Sequence, residues 1–269
     1  KNTAPAITIA ALKALEREAN PTLLVLASDH EIENTKSFIN SIELAKEYAD
    51  NEKIVSFGII PTSPETGYGY IKALNPLSNE SPQGEIIEQF LEKPNLQKAK
   101  ELIKNKRFSW NSGIFMFKAK VLIKEMEKFS PEILKKCKLS LKESTNDLDF
   151  QRLSKVAFEK CPSESFDIAI MEKTNKGIVI PLNCGWNDIG SWKAVWENSK
   201  KDKNGNFIQG NVITEKTNDC FLRSEKRLIV GIGLEDLVIV ETNDAILISN
   251  KYQTQLVKNI VQKLKDNKI

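Results

Sequence analysis

Between residues 6 and 19, Ile7, Ile9, Ala10, Leu12 and Leu15 fall mostly on one face of a helix. Asn20-Pro21 ends that pattern. The spacing then changes: Thr22-Leu23-Leu24-Val25-Leu26-Ala27 is an unbroken apolar run of strand length, which predicts a parallel strand covered on both faces. It ends on polar Ser28-Asp29-His30. A helix is expected to follow to about Tyr48, and a second buried run, Ile54 to Ile60, closes at Pro61-Thr62. Strand, helix, strand with polar residues at the strand ends describes a βαβ unit.

The middle of the chain is less regular. Thr66-Gly67-Tyr68-Gly69-Tyr70-Ile71 packs aromatics around two glycines. Glu85 to Phe90 reads as a strand entering Leu91-Glu92-Lys93-Pro94, with a short helix through Lys104. Trp110-Asn111-Ser112-Gly113 leads into a strand from Ile114 to Phe117. Ser130-Pro131-Glu132 has the make-up of a helix start, with an N-cap serine, a proline at the first helical position and an acid in the first turn. Helices are expected near Leu148–Phe158 and from Ser165 to Lys173. A strand at Gly177–Pro181 and the cluster Gly185-Trp186-Asn187-Asp188-Ile189-Gly190-Ser191-Trp192 come next.

Around Lys201-Asp202-Lys203-Asn204-Gly205-Asn206 the texture turns polar, as in a linker. Beyond it Asn211–Thr214, Cys220–Leu222, Leu228–Gly231, Asp236–Val240 and Ala245–Ile248 predict a small coil of short strands. Tyr252 to Ile269 carries Leu256, Ile260 and Leu264 on one face and reads as an amphipathic helix with a solvated lysine face. The expected domains are therefore 1–202, 203–250 and 251–269.

Composition narrows the function. With 41% hydrophobic and 28% charged residues among 269, the chain folds, as one large α/β domain or a domain plus an appendage. A net charge of +3, from 39 basic and 36 acidic residues, advertises neither nucleic acid nor a membrane surface. No apolar run approaches the ~18–20 residues of a membrane span, and Lys1-Asn2-Thr3-Ala4-Pro5 is not a signal peptide. Four cysteines, Cys137, Cys161, Cys184 and Cys220, show no C-x-x-C spacing, so free thiols in a reducing cytoplasm are expected. A single histidine, His30, excludes multi-histidine metal sites. Chemistry here has to rest on carboxylates, lysines and backbone groups.

Candidates for that chemistry are few. Asp29 stands at a strand end, where open α/β sheets place ligands, or it caps the next helix. Asp188 lies among glycines and tryptophans, either beside a ligand or in a packed turn. Brought together, the two carboxylates would make a sparse Mg²⁺ site of the kind used with phosphates. Glu92 and Lys93 offer an acceptor for sugar hydroxyls and a point charge for phosphate, or are an ordinary surface pair. Asn111 can read a hydroxyl or merely sit in a turn. Gly67 and Gly69 let backbone approach a substrate or serve a hairpin.

In order along the chain, Asp29-His30, Thr66 to Ile71, Phe90-Leu91-Glu92-Lys93-Pro94, Trp110 to Phe115, Ser165-Phe166-Asp167 with Met171-Glu172-Lys173, and Gly185 to Trp192 resemble the mannose-1-phosphate guanylyltransferases. So do Asn2-Thr3-Ala4-Pro5-Ala6 and Val238-Ile239-Val240 with Asp244-Ala245. The resemblance implies transfer of GMP from GTP to mannose 1-phosphate, on a Rossmann-like nucleotidyltransferase domain followed by a short left-handed β-helix-like region and a C-terminal helix. It implies that Asp29 and Asp188 hold Mg²⁺, that Glu92, Asn111 and Gly69 bind mannose, that Lys93 meets the sugar phosphate, and that Asn2 and Thr3 lie near the nucleotide. The transfer suits this composition, because it needs positioning and charge neutralisation rather than a histidine base.

One departure stands out. The family carries a glycine-rich phosphate loop ahead of the segment matching Asn2, and this chain opens after it, so a truncated piece with little activity alone is expected. Rival readings are a pyrophosphorylase for another nucleotide sugar and a non-catalytic sugar-phosphate-binding module. An acyltransferase built on the tail is disfavoured, since no six-residue repeat is present. No nucleic-acid or membrane partner is expected, and a homodimer is one assembly the sequence leaves open.

Overall fold

The structure, a computed structural model, describes residues 1–266. Its contacts divide the chain into two units: Lys1–Ser28 with Ile32–Trp186, and the short segment Asp29–Glu31 with Asn187 onward. No helix among the described residues is long and apolar enough to cross a membrane.

In the first unit, β1 (Thr22–Val25), β2 (Ile54–Ile59), β3 (Tyr70–Ala73), β4 (Glu85–Leu91), β5 (Phe108–Lys118) and β6 (Gly177–Pro181) form one sheet. The order is β1-β5-β2-β6-β4-β3, and β5 is long enough to reach β3 as well. β2 and β6 are parallel, whereas β5 runs antiparallel to β1, β2 and β3. Successive side chains alternate between two apolar clusters. Phe115 and Phe117 of β5 join Val179 and the buried residues of α1 (Thr3–Arg17), while Ile114 and Met116 join Ile178, Ile180 and Phe38 of α2 (Thr35–Asp50). Helices on both faces explain why these strands read as unbroken apolar runs.

Several local expectations change. The run 22–27 gives only the four residues of β1, half-buried, at the end of the sheet and paired with β5 alone, with Leu26 half exposed. A short apolar run has no alternation to tell an end strand from a central one. β5 separates β1 from β2, so the βαβ unit spans an intervening antiparallel strand. Trp110 to Phe117 is one continuous strand rather than a turn feeding a strand, with a bulge against Ser56 and Gly58 and φ of +71° at Gly113. Residues 148–158 begin as a hairpin, Thr145–Asp147 with Phe150–Arg152, before a short helix at Lys155–Glu159. Ser130 does precede a helix with Pro131 at its start, but its hydroxyl donates to the Ala169 carbonyl at 3.2 Å and leaves the helix end uncapped. The segment expected as a helix from Ser165 is one π-helical turn, Asp167–Met171.

In the second unit, β7 (Phe207–Gln209), β9 (Phe221–Ser224) and β11 (Leu237–Glu241) stack in parallel on one side of a coil. On another, β8 (Val212–Glu215) pairs in parallel with β10 (Ile229–Ile232). β12 (Ile246–Asn250) then closes antiparallel on β11. Cys220, Leu222 and Ile239 fill the interior, while Phe221, Val238 and Val240 pack outward under Trp192 and Trp196 of the helix Trp192–Asn198. The polar stretch at 201–206 is a bonded turn, not a linker. The Asp202 carboxylate accepts from the Asn204 and Asn206 amides at 2.9 and 2.8 Å, and Asn206 is buried with its Nδ2 donating to Thr217 at 2.8 Å. The C-terminal segment starts as a 3-10 helix, Lys251–Leu256, and becomes α-helical only over Val257–Asp266. The end of the expected helix, 267–269, lies outside the described residues.

Candidate functional site

Strand register assembles the first group. Tyr70 stands opposite Leu91 across β3 and β4, and opposite Trp110 across β3 and β5. Gly69, Glu92 and Asn111, each one residue farther on, are therefore brought together at one end of the three strands. The Asn111 amide donates to the Gly69 carbonyl at 2.8 Å. A Cβ at Gly69 would stand 3.2 Å from Glu92 Oε2 and 3.3 Å from the Phe90 ring, so a side chain there would crowd the Glu92 carboxylate, while Asn111 Cβ at 3.6 Å would be in ordinary contact. Tyr68 lies edge-on to Trp110 and Trp186, with ring centroids 5.2 and 5.6 Å apart.

Asn111 is held through its side chain. Its Oδ1 accepts from Ser56 Oγ at 3.3 Å and from the Gly113 amide at 3.2 Å, and its Nδ2 donates to Asp167 Oδ1 at 2.9 Å. Asp167 is fixed in turn by its backbone. The neighbouring Phe166 amide donates to Thr3 Oγ1 at 2.8 Å, and the Asp167 carbonyl accepts from the Glu172 amide at 2.9 Å, closing the π-turn. Burial raises the pKa of Asp167, and the nearby charges of Glu92 and Glu172 add to the rise against the opposing pull of its hydrogen bonds.

Lys93 ion-pairs with Glu92, and both side chains are open to solvent. Its φ of +41° directly before Pro94 is unusual for a side-chain-bearing residue and turns the chain sharply at the end of β4. Asn2 caps α1 from an exposed position with φ of +67°, its side chain accepting from the Thr3 amide at 2.8 Å.

The second group lies in the other unit. Asp29 and Asp188 both belong to it, Asp188 directly after Asn187. Asp29 is exposed and Asp188 half-buried. The Asp188 carboxylate accepts from the Gly190 amide at 2.9 Å, and a Cβ at Gly190 would stand 2.7 Å from it. Ile189, with φ of +49°, donates its amide to Asn187 Oδ1 at 2.8 Å. This tight turn fixes the direction of the Asp188 side chain. Among the described residues no group of three or more histidine, cysteine, aspartate or glutamate side chains could enclose a metal. Carboxylates such as those of Asp29 and Asp188 are the donor type that a hard, partly hydrated cation takes.

Asp167 is the residue that sequence reasoning passed over. Its segment was part of the resemblance but had no role of its own. An acid inside the apolar pattern Phe166, Ile168, Ala169, Ile170, Met171 was the signal that could have found it.

Comparison with known proteins divides the chain later than its contacts do, between residues 205 and 210 rather than at Asn187. Residues 1–205 match the family model described as nucleotidyl transferase, and residues 210–264 match the MannoseP isomerase/GMP-like beta-helix domain. A mannose-1-phosphate guanylyltransferase of Salmonella montevideo is 45% identical over 268 residues, which cover 98% of this chain and 56% of the relative. Mannose-1-phosphate guanylyltransferase 2 of Escherichia coli O157:H7 is 46% identical over 271 residues, again 98% of this chain and 56% of the relative. The chain thus spans little more than half the length of these curated relatives. Among solved structures, one described as the mannose-1-phosphate geranyltransferase of Thermus thermophilus superposes with a TM-score of 0.81 at 25% identity, over 98% of this chain and 75% of that one. The mannose-6-phosphate isomerase of Helicobacter pylori gives 0.62 at 34% identity, over 70% of each chain.

Proposed function

This chain belongs to the nucleotidyl transferase family, and we propose that it takes part in guanylyl transfer from GTP to mannose 1-phosphate, releasing GDP-mannose and pyrophosphate. The observation that carries the reading is the convergence of Gly69, Glu92 and Asn111 at one end of three adjoining strands, in a chain whose relatives are named for that reaction.

In this reading a phosphate oxygen of mannose 1-phosphate attacks the α-phosphorus of GTP. The bond from that phosphorus to the bridging oxygen breaks, and pyrophosphate leaves with the electron pair. The sugar phosphate is already anionic, so no residue has to remove a proton. Glu92 accepts from a sugar hydroxyl and Asn111 donates to one. Lys93 meets the sugar phosphate on leaving its pairing with Glu92, and Asn2 and Thr3 lie towards the nucleotide. Such residues hold the reacting oxygen in line, which is the main protein contribution to phosphoryl-type transfer. Asp29 and Asp188 would hold Mg²⁺, which when bound supplies neutralisation of the triphosphate charge. The expected setting is the cytoplasm.

Calorimetric titration tests the sugar half directly. Mannose 1-phosphate is expected to bind the purified chain more tightly than glucose 1-phosphate does. Asn111→Ala and Glu92→Ala should each weaken it by ~1–3 kcal/mol, the scale of one lost hydrogen-bond partner to the sugar. Equal affinity for the two sugar phosphates in wild type and both variants would overturn the reading. For the nucleotide half, formation of nucleotide sugar with UTP, CTP or dTTP but not GTP would overturn the choice of base.

A further inference from the structure

We infer that Asp167 is a positioning residue for Asn111, and that it makes the Asn111 side chain a one-proton donor towards the sugar. The inference rests on the reading of Asn111 as a sugar contact and adds which atom of it is available.

A side-chain amide has four hydrogen-bonding positions, two lone pairs on the oxygen and two protons on the nitrogen. At Asn111 three are used inside the protein. Ser56 Oγ and the Gly113 amide donate to Oδ1, and one Nδ2 proton goes to Asp167. Reversing the amide would set its oxygen against the Asp167 carboxylate and its protons against the Gly113 N–H, so the orientation is determined from both ends. Only the second Nδ2 proton remains. A hydroxyl meeting Asn111 must therefore accept, and its own proton is free for another acceptor, which Glu92 can be. Gly69 permits that pairing by keeping a methyl group from between them.

The support for Asp167 is rigid. Its carbonyl closes the π-turn onto Glu172, the Phe166 amide is held by Thr3 Oγ1, and the Ser165 hydroxyl accepts from the Ile168 amide at 3.3 Å. π-turns are rare and recur at functional sites. Here the turn delivers a carboxylate from a buried segment to an asparagine that is distant in sequence.

Two measurements on this chain decide the matter. The first needs no ligand. In ¹⁵N-resolved spectra one of the two Asn111 Nδ2 protons should exchange with solvent at least tenfold more slowly than the other. Asp167→Ala should abolish that difference, and Asp167→Asn, whose amide oxygen can still accept, should restore most of it. Equal exchange of both protons in wild type, or protection that survives Asp167→Ala, overturns the inference.

The second is a double-mutant cycle on mannose 1-phosphate affinity. Asp167→Ala should raise Kd about as much as Asn111→Ala, on the order of tenfold, and the double variant should be no worse than Asn111→Ala alone. Full additivity would overturn the inference. In the exchanged pair Asn111→Asp with Asp167→Asn the mutual bond is kept but position 111 loses its free proton, so affinity should stay low; recovery to the wild-type value would also overturn it. If Asn111→Ala leaves affinity unchanged, the sugar-site reading fails by itself, and the exchange experiment still decides the role of Asp167.

Discussion

The ammonium of Lys251 lies 3.4 Å from the centroid of the Trp196 ring. The lysine is fully buried, and its Nζ also donates to the Asp219 carbonyl at 2.9 Å and pairs with Asp236 Oδ1 at 2.8 Å. One cation thereby ties the helix Trp192–Asn198 to two corners of the coil, all within the second unit. Lys251→Met preserves the volume and removes the charge, leaving two acceptors unmatched. It should destabilise this unit by about 3 kcal/mol, the scale for breaking a buried pair. Denaturant unfolding followed by tryptophan fluorescence checks this, and a midpoint within error of wild type would count against it.

Glu241 gives the same unit an acid limit. Hydrogen bonds from the Lys226 backbone amide first, then from those of Arg227 and Glu225 and from the Ser224 hydroxyl, pull its pKa down to about 2. A carboxylate whose folded pKa is depressed contributes stability that is present above its unfolded value and lost as pH falls through the folded one. Stability should therefore decline between about pH 4.5 and pH 2. Glu241→Gln should be less stable at pH 7 and lack that part of the decline, as read by circular dichroism across the range.

Asp167 behaves in the opposite sense. Its pKa is raised by burial first and by Glu92 and Glu172 after that. The folded chain holds this proton more tightly than the unfolded one, so the residue costs stability as pH rises above its unfolded value, most fully above its folded one. The melting-temperature difference between Asp167→Asn and wild type should shift in favour of the variant as pH rises from 3 to 7. A flat difference would show that the carboxyl is not perturbed.

The four thiols should be silent in the folded chain. All are buried, and burial pushes Cys137 up to about 12 and Cys184 to about 11. Reaction with a disulfide reagent at pH 8 should be negligible until denaturant is added, and should then report four groups. A fast-reacting thiol in the native chain would contradict this burial.

Gly69→Ala tests the close approach beside Glu92. The added carbon would press on Glu92 Oε2 at 3.2 Å and on the Phe90 ring at 3.3 Å, without a left-handed backbone to add strain. Folding should persist, while affinity for mannose 1-phosphate should fall roughly tenfold, about 1.4 kcal/mol. Unchanged affinity would mean that the Glu92 carboxylate has no part in sugar binding.

Much of this was legible in the residues, for identifiable reasons. Ile54 to Ile59 and Gly177–Pro181 sit centrally with helices on both faces, so their unbroken apolar runs meant what such runs usually mean. Thr22 to Ala27 carried the same pattern at the end of the sheet, where only the partner strand, distant in sequence, decides the outcome. The hairpin at Thr145–Arg152 was missed because both strands are wholly exposed and have no periodicity to detect. At the site, Glu92 and Asn111 were marked by ordered motifs, but their adjacency depends on the register of β3, β4 and β5. Asp167 shows in the sequence only as an acid within an apolar pattern, and its tie to Asn111 is one hydrogen bond across 56 positions that no local pattern records. Asn206 looked like linker for a related reason, since the partners that bury it are contributed by later rungs.

The reversed direction of β12 limits how far the coil can grow. Parallel rungs can in principle be added without end, each new strand finding the same lattice of donors and acceptors as the last. Here the final strand runs against β11, with Leu237 opposite Asn250 and Glu241 opposite Ile246. A further parallel rung would meet a strand of the opposite polarity, so the uninterrupted parallel ladder stops at β11. A single change of strand sense thus gives this end of the coil an antiparallel edge in place of the parallel one its earlier rungs share.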